Sequence, residues 1–229
     1  MNYAISDIHG CYKTLQVLFQ QLESISIDNK YYFLGDYIDR GPDSRKVLDF
    51  LMKLRNKNKD VVILRGNHEQ MMLDNYNNSS KENFLLWKQN GCEATLLNYD
   101  IPTSPVYEIG DIPIEYIEFI NSMPYYAESD EFLMAHAGFN FQSTDPFTDY
   151  QSMLWMRTDD YDAKISKGKK VIHGHTQIPI SQILEKINNK STIICIDSGC
   201  VYNKYPDLGW LSALNLTTFE LISVKNIDN

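Results

Sequence analysis

The first 73 residues alternate between short apolar runs and segments whose apolar residues recur every three or four positions. The runs at residues 3–5, 31–34 and 61–64 have the length of strands. Helical spacing predicts one helix over about 15–25, a second that opens at Pro42, and a third around 69–73. Strands that alternate with helices are typical of an α/β layer architecture. The apolar positions of the first two helices are Leu15, Leu18, Phe19, Leu22 and Ile25, then Val47, Leu48, Phe50, Leu51 and Leu54.

Residues 74–130 show no strong strand pattern. Residues 75–80 are polar and predict a loop, whereas apolar clusters at 84–87 and 114–120 predict helices. Pro102, Pro105 and Pro113 interrupt the stretch between those helices. We interpret this part of the chain as a mostly helical insertion beside the main layers.

Strand patterns return at residues 132–135, 170–172, 192–196, 210–214 and 218–224. The last three follow one another closely, which predicts antiparallel neighbours in a second sheet. Residues 225–229 are expected to form a frayed tail. We expect the whole chain, residues 1–229, to form one domain.

Composition and charge limit the kinds of function that this chain can have. The chain is 43% hydrophobic and 22% charged, as globular proteins are, and its net charge of −9 disfavours nucleic acid as a partner. No apolar run approaches the ~18 residues of a membrane helix, and the N-terminus has no basic region, so we expect a cytoplasmic protein. The four cysteines form no C-x-x-C pair and are expected to be reduced.

Polar residues with histidine and aspartate follow the predicted strands. Because open α/β folds place ligands where strands end at one edge of a sheet, these residues are expected to converge. The strings are Asp7-Ile8-His9-Gly10, Gly35-Asp36-Tyr37-Ile38-Asp39-Arg40-Gly41, Gly66-Asn67-His68-Glu69, His136-Ala137-Gly138 and His173-Gly174-His175-Thr176.

The residue types in these strings favour a metal site. Asp7 and His9 are two positions apart, so in an extended segment their side chains lie on one face. Asp7 or Asp36 alone could simply cap a helix or a turn, but all five histidines of the chain lie in such strings. Oxygen and nitrogen donors of this kind suit manganese, iron or zinc, and they are too many for one structural zinc.

The ordered series of strings resembles the phosphoprotein phosphatase family of metallophosphoesterases, and the small bacterial and phage-type members most. The resemblance runs from Asp7 to about Tyr202. It implies a calcineurin-like α/β sandwich fold, with two mixed β-sheets flanked by helices and the mostly helical insertion at about 74–130. It also implies hydrolysis of phosphate monoesters, with phosphoserine or phosphothreonine in proteins as the main expected substrate.

The same resemblance implies two divalent metal ions, with manganese expected and iron or zinc as alternatives. Two such ions share a hydroxide, which attacks the phosphorus directly without a phosphoenzyme. The first ion would be held by Asp7, His9 and Asp36, and the second by Asn67, His136 and His175 with Asp36 as the bridge.

Further roles follow from the resemblance. His68 matches the general acid, and Asp39 would orient it, although a bystander role for His68 stays open. Arg40 and Arg157 match two phosphate-binding arginines, but Arg157 could also be a surface residue on Trp155. We expect His173 not to bind metal, and Asp197 to cap a loop rather than to act in catalysis.

Two other functions remain open. One is hydrolysis of dinucleoside tetraphosphates, because residues 196–201 resemble that group of enzymes as much as the protein phosphatases. Asp39 and Glu69 argue against it, since that group tends to carry alanine and aspartate at the corresponding positions. The other is a binding module without catalysis, whose sign would be a broken ligand set, and no predicted ligand is missing here.

Overall fold

A computed structural model describes residues 1–26, 28–57, 60–102, 111–157 and 160–228. In these ranges the chain forms two mixed sheets flanked by helices, which confirms the predicted fold class. Residues 103–110 of the predicted insertion, which include Pro105, lie outside the described residues, and so does the last residue of the predicted tail.

Each sheet combines parallel strands with antiparallel ones. The first consists of β1 (Asn2–Ile5), β2 (Lys30–Phe33), β3 (Val61–Ile63), β8 (Trp210–Asn215) and β9 (Leu221–Lys225) in the order β3-β2-β1-β8-β9. The second consists of β4 (Tyr126–Glu128), β5 (Phe132–Ala135), β6 (Lys170–His173) and β7 (Ile193–Cys195) in that order. β1, β2 and β3 are parallel to one another, and so are β5, β6 and β7.

The prediction that the last three strands are antiparallel neighbours in one sheet is wrong. β7 pairs in parallel with β6 in the second sheet, whereas β8 pairs antiparallel with β1 and with β9 in the first sheet. Short sequence separation favours pairing between β8 and β9, but the fourteen-residue connection before β8 is long enough to cross to the other sheet.

Eight helices occur in the described ranges, and most lie where the apolar spacing predicts them. They are α1 (Tyr12–Ile25), α2 (Ser44–Asn56), α3 (Asn67–Asn77), α4 (Lys81–Gln89), α5 (Cys92–Leu97), α6 (Ile114–Asn121), α7 (Tyr150–Trp155) and α8 (Ile180–Asn188). Two predictions need correction. α3 continues into the stretch expected to be loop, because Met71 and Met72 are buried and Asn75 bonds back to the Met71 carbonyl. The region also ends in a strand, β4, which β5 stabilises by pairing.

Alternation along the strands separates two cores. Tyr3 and Ile5 face the helices that cover the first sheet, whereas Ala4 between them faces the second sheet. Met134 in β5 meets Ala4 in the same inter-sheet core, as expected from a side-chain period of two. Helices α1 and α2 pack on the outer face of the first sheet, whereas α8 packs against β7 of the second sheet. In α1, Leu15, Leu18 and Leu22 are fully buried, and each contributes ~1.5–3 kcal/mol.

The C-terminal segment is docked rather than frayed. The Asp228 carboxylate accepts hydrogen bonds from the backbone N–H groups of Lys13 and Thr14 at 2.7 and 2.8 Å, and from the Thr14 hydroxyl at 2.6 Å. Cys11, at the N-cap of α1, makes no side-chain cap. Asp228 therefore caps α1 from the far end of the chain, a contact that composition cannot reveal.

The four cysteines are free and buried, as expected. Among the described residues, no helix combines the length and the apolar character needed to cross a membrane.

Candidate metal centre

The predicted site residues lie where parallel strands of both sheets end. Five loops follow β1, β2, β3, β5 and β6, and each contributes one buried side chain. The sandwich brings these loops together because the two sheets present the carboxyl ends of their parallel strands to one region. The five side chains are His9, Asp36, Asn67, His136 and His175, none more than 4% exposed.

Asp36 is the shared member of two groups that have the geometry of metal sites. In the first, ligand atoms of Asp36, His9 and His68 all lie within 4.8 Å of one another. In the second, Asp36 combines in the same way with His136 and His175. The Asp36 carboxylate therefore lies between two groups that could each hold a cation. The first group contains His68, which the sequence predicts to be the general acid. It does not contain Asp7, which the sequence predicts to be a ligand of the same ion.

In the second group, the Nε2 atom of His136 faces the side-chain oxygen of Asn67, which can only accept. His136 Nδ1 lies 3.0 Å from the Leu34 carbonyl, which only accepts, so Nδ1 carries a hydrogen there. In the neutral ring Nε2 is then a lone pair, yet it faces Asn67 Oδ1 at 2.9 Å and His175 Nδ1 at 3.1 Å. Acceptors packed this closely need a proton or a cation between them.

The first group shows the same tautomer. His9 Nδ1 lies 2.9 Å from the Ile38 carbonyl, which leaves the Nε2 lone pair directed toward Asp36 Oδ2 at 3.5 Å. Arg40 Nη1 donates to that nitrogen at 2.6 Å. The guanidinium thus lies directly beside the first group, close enough to contact a phosphate bound there.

Asp7 contributes a carboxylate to the edge of the second group. Both of its oxygens accept the backbone N–H of His175, at 3.2 and 3.0 Å. A Cβ at Gly174 would lie 2.0 Å from Asp7 Oδ1, so only glycine permits this approach. Burial and the Asp197 carboxylate raise the pKa of Asp7 well above its usual range.

The buried side chains of the centre shift one another's pKa values. Burial disfavours ionised Asp36, yet His136 and His68 hold its pKa well below the usual value. Burial also disfavours charged His136, but the Asp36 carboxylate outweighs it and raises the pKa of His136 to about 9. His175 behaves oppositely, because burial and the neighbouring His136 lower its pKa to about 3. A positive charge on His136 therefore disfavours protonation of His175, which lies beside it.

His68 is held in place by a fully buried carboxylate. Its Nδ1 lies 2.6 Å from Asp39 Oδ2, and its Nε2 points toward Asp36 and has no hydrogen-bond partner among the described residues. Asp39 is fixed in turn by Trp87 Nε1, at 2.7 Å from Oδ2, and by the Thr95 hydroxyl, at 2.5 Å from Oδ1. Sequence reasoning missed both donors, which lie on α4 and α5 of the predicted insertion.

Glu69 holds the loop that carries Asp36. Its carboxylate accepts the backbone N–H groups of Asp36, Tyr37 and Gly66 at 2.8–3.0 Å. Burial and the Asp36 carboxylate raise the pKa of Glu69 to about 7 in spite of these bonds. Gly66 permits the close packing, since a Cβ there would lie 2.2 Å from Asp36 Oδ1.

Backbone strain is concentrated at the same residues. Among the described residues, nine other than glycine have positive φ, and five of them are site residues. Left-handed conformations of such residues cost ~1–3 kcal/mol each and persist where the surrounding structure imposes them. The five are His9 (46°), Asp36 (56°), Asp39 (70°), Arg40 (68°) and His175 (68°).

Three further predicted residues lie around the centre. Arg157 is exposed, and its Nη1 is 3.5 Å from the Thr176 hydroxyl, close to His175 but outside both groups. Asp197 accepts the N–H of Gly199 at 2.8 Å and so forms the predicted loop cap. His173 is buried with Nδ1 3.0 Å from the Gly174 carbonyl, and it belongs to neither group.

The residues present fit two divalent cations. Asp36 lies between the two groups, the acceptors of the second group converge on one another, and His175 Nε2 is buried without a hydrogen-bond partner among the described residues. Imidazole, carboxylate and amide oxygen donors form a mixed set that suits manganese, iron or zinc.

Comparison with known proteins identifies relatives of this arrangement. Residues 3–208 match the model of the calcineurin-like phosphoesterases. An asymmetrical bis(5'-nucleosyl)-tetraphosphatase from Anoxybacillus flavithermus is 26% identical over 97% of this chain and 93% of its own length. A symmetrical bis(5'-nucleosyl)-tetraphosphatase from Cellvibrio japonicus is 35% identical over 45% of this chain. That alignment spans only 34% of the Cellvibrio protein.

The fold is also that of a solved protein phosphatase. A serine/threonine phosphatase from Saccharomyces cerevisiae, with similarity to human PP5, superposes with a TM-score of 0.62 and 14% identity. The superposition covers 100% of this chain and 80% of the yeast chain. At this identity the likeness concerns the fold alone.

Proposed function

The chain belongs to the calcineurin-like phosphoesterase family, and from this premise we propose that it hydrolyses dinucleoside polyphosphates such as diadenosine tetraphosphate. The observation that carries the proposal is the alignment with the Anoxybacillus enzyme, which extends over nearly the whole of both chains. Family membership alone makes the chain a metallophosphoesterase, whereas the nucleotide substrate is the finer inference.

A phosphoserine or phosphothreonine protein phosphatase is the second candidate, because of the bond between His68 and Asp39. A serine or threonine alkoxide is a poor leaving group and needs a proton from an acid, whereas a nucleotide leaves as a stable phosphate anion. His68 bonded to a buried carboxylate at 2.6 Å is suited to supply that proton. Glu69 no longer distinguishes the two candidates, since it holds the Asp36 loop, which both reactions require.

We assign the cations to the residues that the sequence predicts. Asp7, His9 and Asp36 would hold one, and Asn67, His136 and His175 would hold the other with Asp36 between them. When bound, two divalent cations supply Lewis-acid activation of both the phosphate ester and the attacking water. We expect manganese, and iron or zinc would suit the same donors.

The remaining steps belong to the chain's own side chains. Arg40 binds the phosphate, since a planar guanidinium matches two phosphate oxygens and this one lies beside His9. Arg157 contacts the phosphate from the His175 side. His68 gives a proton from Nε2 to the leaving oxygen, while Asp39 stabilises the positive ring through Nδ1.

A substrate comparison tests the proposal. The manganese-loaded protein is given diadenosine tetraphosphate or a phosphothreonine peptide, and kcat/KM is measured for each. We expect the dinucleotide to be preferred by at least about tenfold, and chromatography of the products distinguishes ATP plus AMP from two ADP. A clear preference for the peptide would reject the nucleotide function in favour of the second candidate.

A further inference from the structure

A cavity of about 360 Å³ opens beside Arg40, outside the metal-ligand set. It lies between the end of α4 and the loop that precedes β8. Its volume is within the ~300–1,000 Å³ range of small-molecule sites. The side chains that matter here are those of Arg40, Gln89, Asn90, Tyr202, Lys204 and Tyr205.

Arg40 connects this cavity to the candidate metal centre. Its Nη1 contacts His9 Nε2 at 2.6 Å, while its guanidinium carbon lies 5.6 Å from the centre of the Tyr202 ring. A ligand whose reacting phosphate lies at Arg40 therefore has room for the rest of the molecule in the cavity.

The lining matches the chemistry of a nucleotide. Arg40 and Lys204 supply positive charge, and none of the described residues that line the cavity is acidic, although the whole chain carries a net charge of −9. The rings of Tyr202 and Tyr205 lie edge to face at 6.1 Å, and Tyr205 is 60% exposed, so its ring is accessible for stacking. The amide side chain of Gln89 adds both a donor and an acceptor for a base edge.

We propose that this cavity binds a nucleoside of the substrate, with the base stacked on Tyr205 and the adjoining phosphates toward Arg40 and Lys204. The proposal rests on the proposed function, because it places the nucleoside beside the same centre. A phosphopeptide has no flat base for the tyrosine rings. Aromatic stacking contributes enough affinity per base to be measured by removal of a single ring.

Competitive inhibition tests the subsite independently of the natural substrate. The manganese-loaded protein hydrolyses p-nitrophenyl phosphate, and AMP or ribose 5-phosphate is added as the inhibitor. The two inhibitors share a phosphate and a ribose, so their inhibition constants differ only through the base. We expect AMP to inhibit at about tenfold lower concentration than ribose 5-phosphate. Equal inhibition constants would overturn the proposal.

Variants locate the effect in the cavity. Tyr205→Ala should raise the inhibition constant of AMP about tenfold and that of ribose 5-phosphate less than twofold. Tyr205→Phe should keep the affinity for AMP, because the ring rather than the hydroxyl stacks. The matched control is Lys167→Gln, in a cavity of about 350 Å³ near the starts of β5 and β6, which should change neither constant.

The result also separates the subsite from the proposed function. If diadenosine tetraphosphate is not hydrolysed but AMP keeps its Tyr205-dependent advantage, the subsite is supported and the proposed function fails. If the dinucleotide is hydrolysed and Tyr205→Ala leaves the AMP constant unchanged, the proposed function is supported and the subsite is wrong.

Discussion

Replacement of Thr95 by valine tests whether the predicted insertion holds the acid of the site. The Thr95 hydroxyl donates to Asp39 Oδ1 at 2.5 Å and accepts the Asp39 backbone N–H at 2.9 Å. Valine has nearly the same shape, so the substitution removes the hydroxyl with little change in packing. The hydroxyl is fully buried, and water cannot easily replace it.

The structure sets the expected loss of stability. After the substitution, Oδ2 of Asp39 keeps its bonds to His68 and Trp87, and the backbone N–H keeps Ser44 Oγ at 3.0 Å. Oδ1 loses its donor, and Ser44 Oγ loses its 3.1 Å contact with the Thr95 hydroxyl. The first loss dominates, because a hydrogen bond to a charged group contributes ~1.5–3 kcal/mol. We expect the free energy of unfolding to fall by about 2 kcal/mol. For a chain of this size Tm should then fall by roughly 4–8 °C.

The same substitution should affect catalysis unevenly. With Oδ1 released, the Asp39 carboxylate rotates more freely and orients His68 less well. We expect kcat to fall about tenfold for a phosphothreonine peptide, part of the ~10²–10⁴-fold contribution of a general acid. The fall should be smaller for p-nitrophenyl phosphate, because nitrophenolate needs no proton to leave.

Thr95→Ser is the matched control, because it keeps the hydroxyl and removes one methyl group. Its ratio of kcat values for the two substrates should equal that of the wild type. If Thr95→Val lowers kcat for both substrates by the same factor, Thr95 does not position the acid. The same conclusion follows if the serine variant shows the same uneven loss of kcat.

Four further variants test other parts of the site and the fold. His68→Asn should slow the phosphothreonine peptide by about 10²–10⁴-fold and p-nitrophenyl phosphate less, in steady-state assays of both; equal losses would indicate a role in ordering the metals. His175→Ala should lose one metal ion and nearly all activity, whereas His173→Ala should keep both ions by elemental analysis; the reverse result would contradict the assignment of His175. Asp228→Ala should lower the free energy of unfolding by about 1 kcal/mol in urea denaturation, because the N–H groups of Lys13 and Thr14 lose their cap, and an unchanged midpoint would contradict that capping role.

Local signals were sufficient to predict most of the elements and the convergence of the polar residues that follow the strands. The strands that end at Ile5, Phe33 and Ile63 are short apolar runs, and the polar residues that follow them do meet. The sheet that β7 joins could not be read in this way, because strand pairing depends on which edge is free after the other strands have formed. Asp228 was misjudged for a related reason, since its partner lies more than 200 residues away in sequence.

The ligand types were predictable, but the support around them was not. Trp87 and Thr95 are 48 and 56 residues from Asp39 in sequence, and nothing in their local sequence marks them as donors. The left-handed backbone at His9 and Asp36 is equally hidden, because it is imposed by the packing of glycines such as Gly66 against the loops. The sequence also suggested that Glu69 argues against a dinucleoside tetraphosphate substrate, whereas its contacts give it a structural role.

Metal titration of the stripped protein tests the central claim most directly. Protein treated with EDTA is dialysed and titrated with manganese, while bound manganese and hydrolysis of p-nitrophenyl phosphate are measured on the same samples. We predict no hydrolysis without metal, and activity that rises as two manganese ions bind per chain. Full activity in protein shown by elemental analysis to be free of metal would contradict the assignment of the five strand-end loops to a two-cation hydrolytic centre.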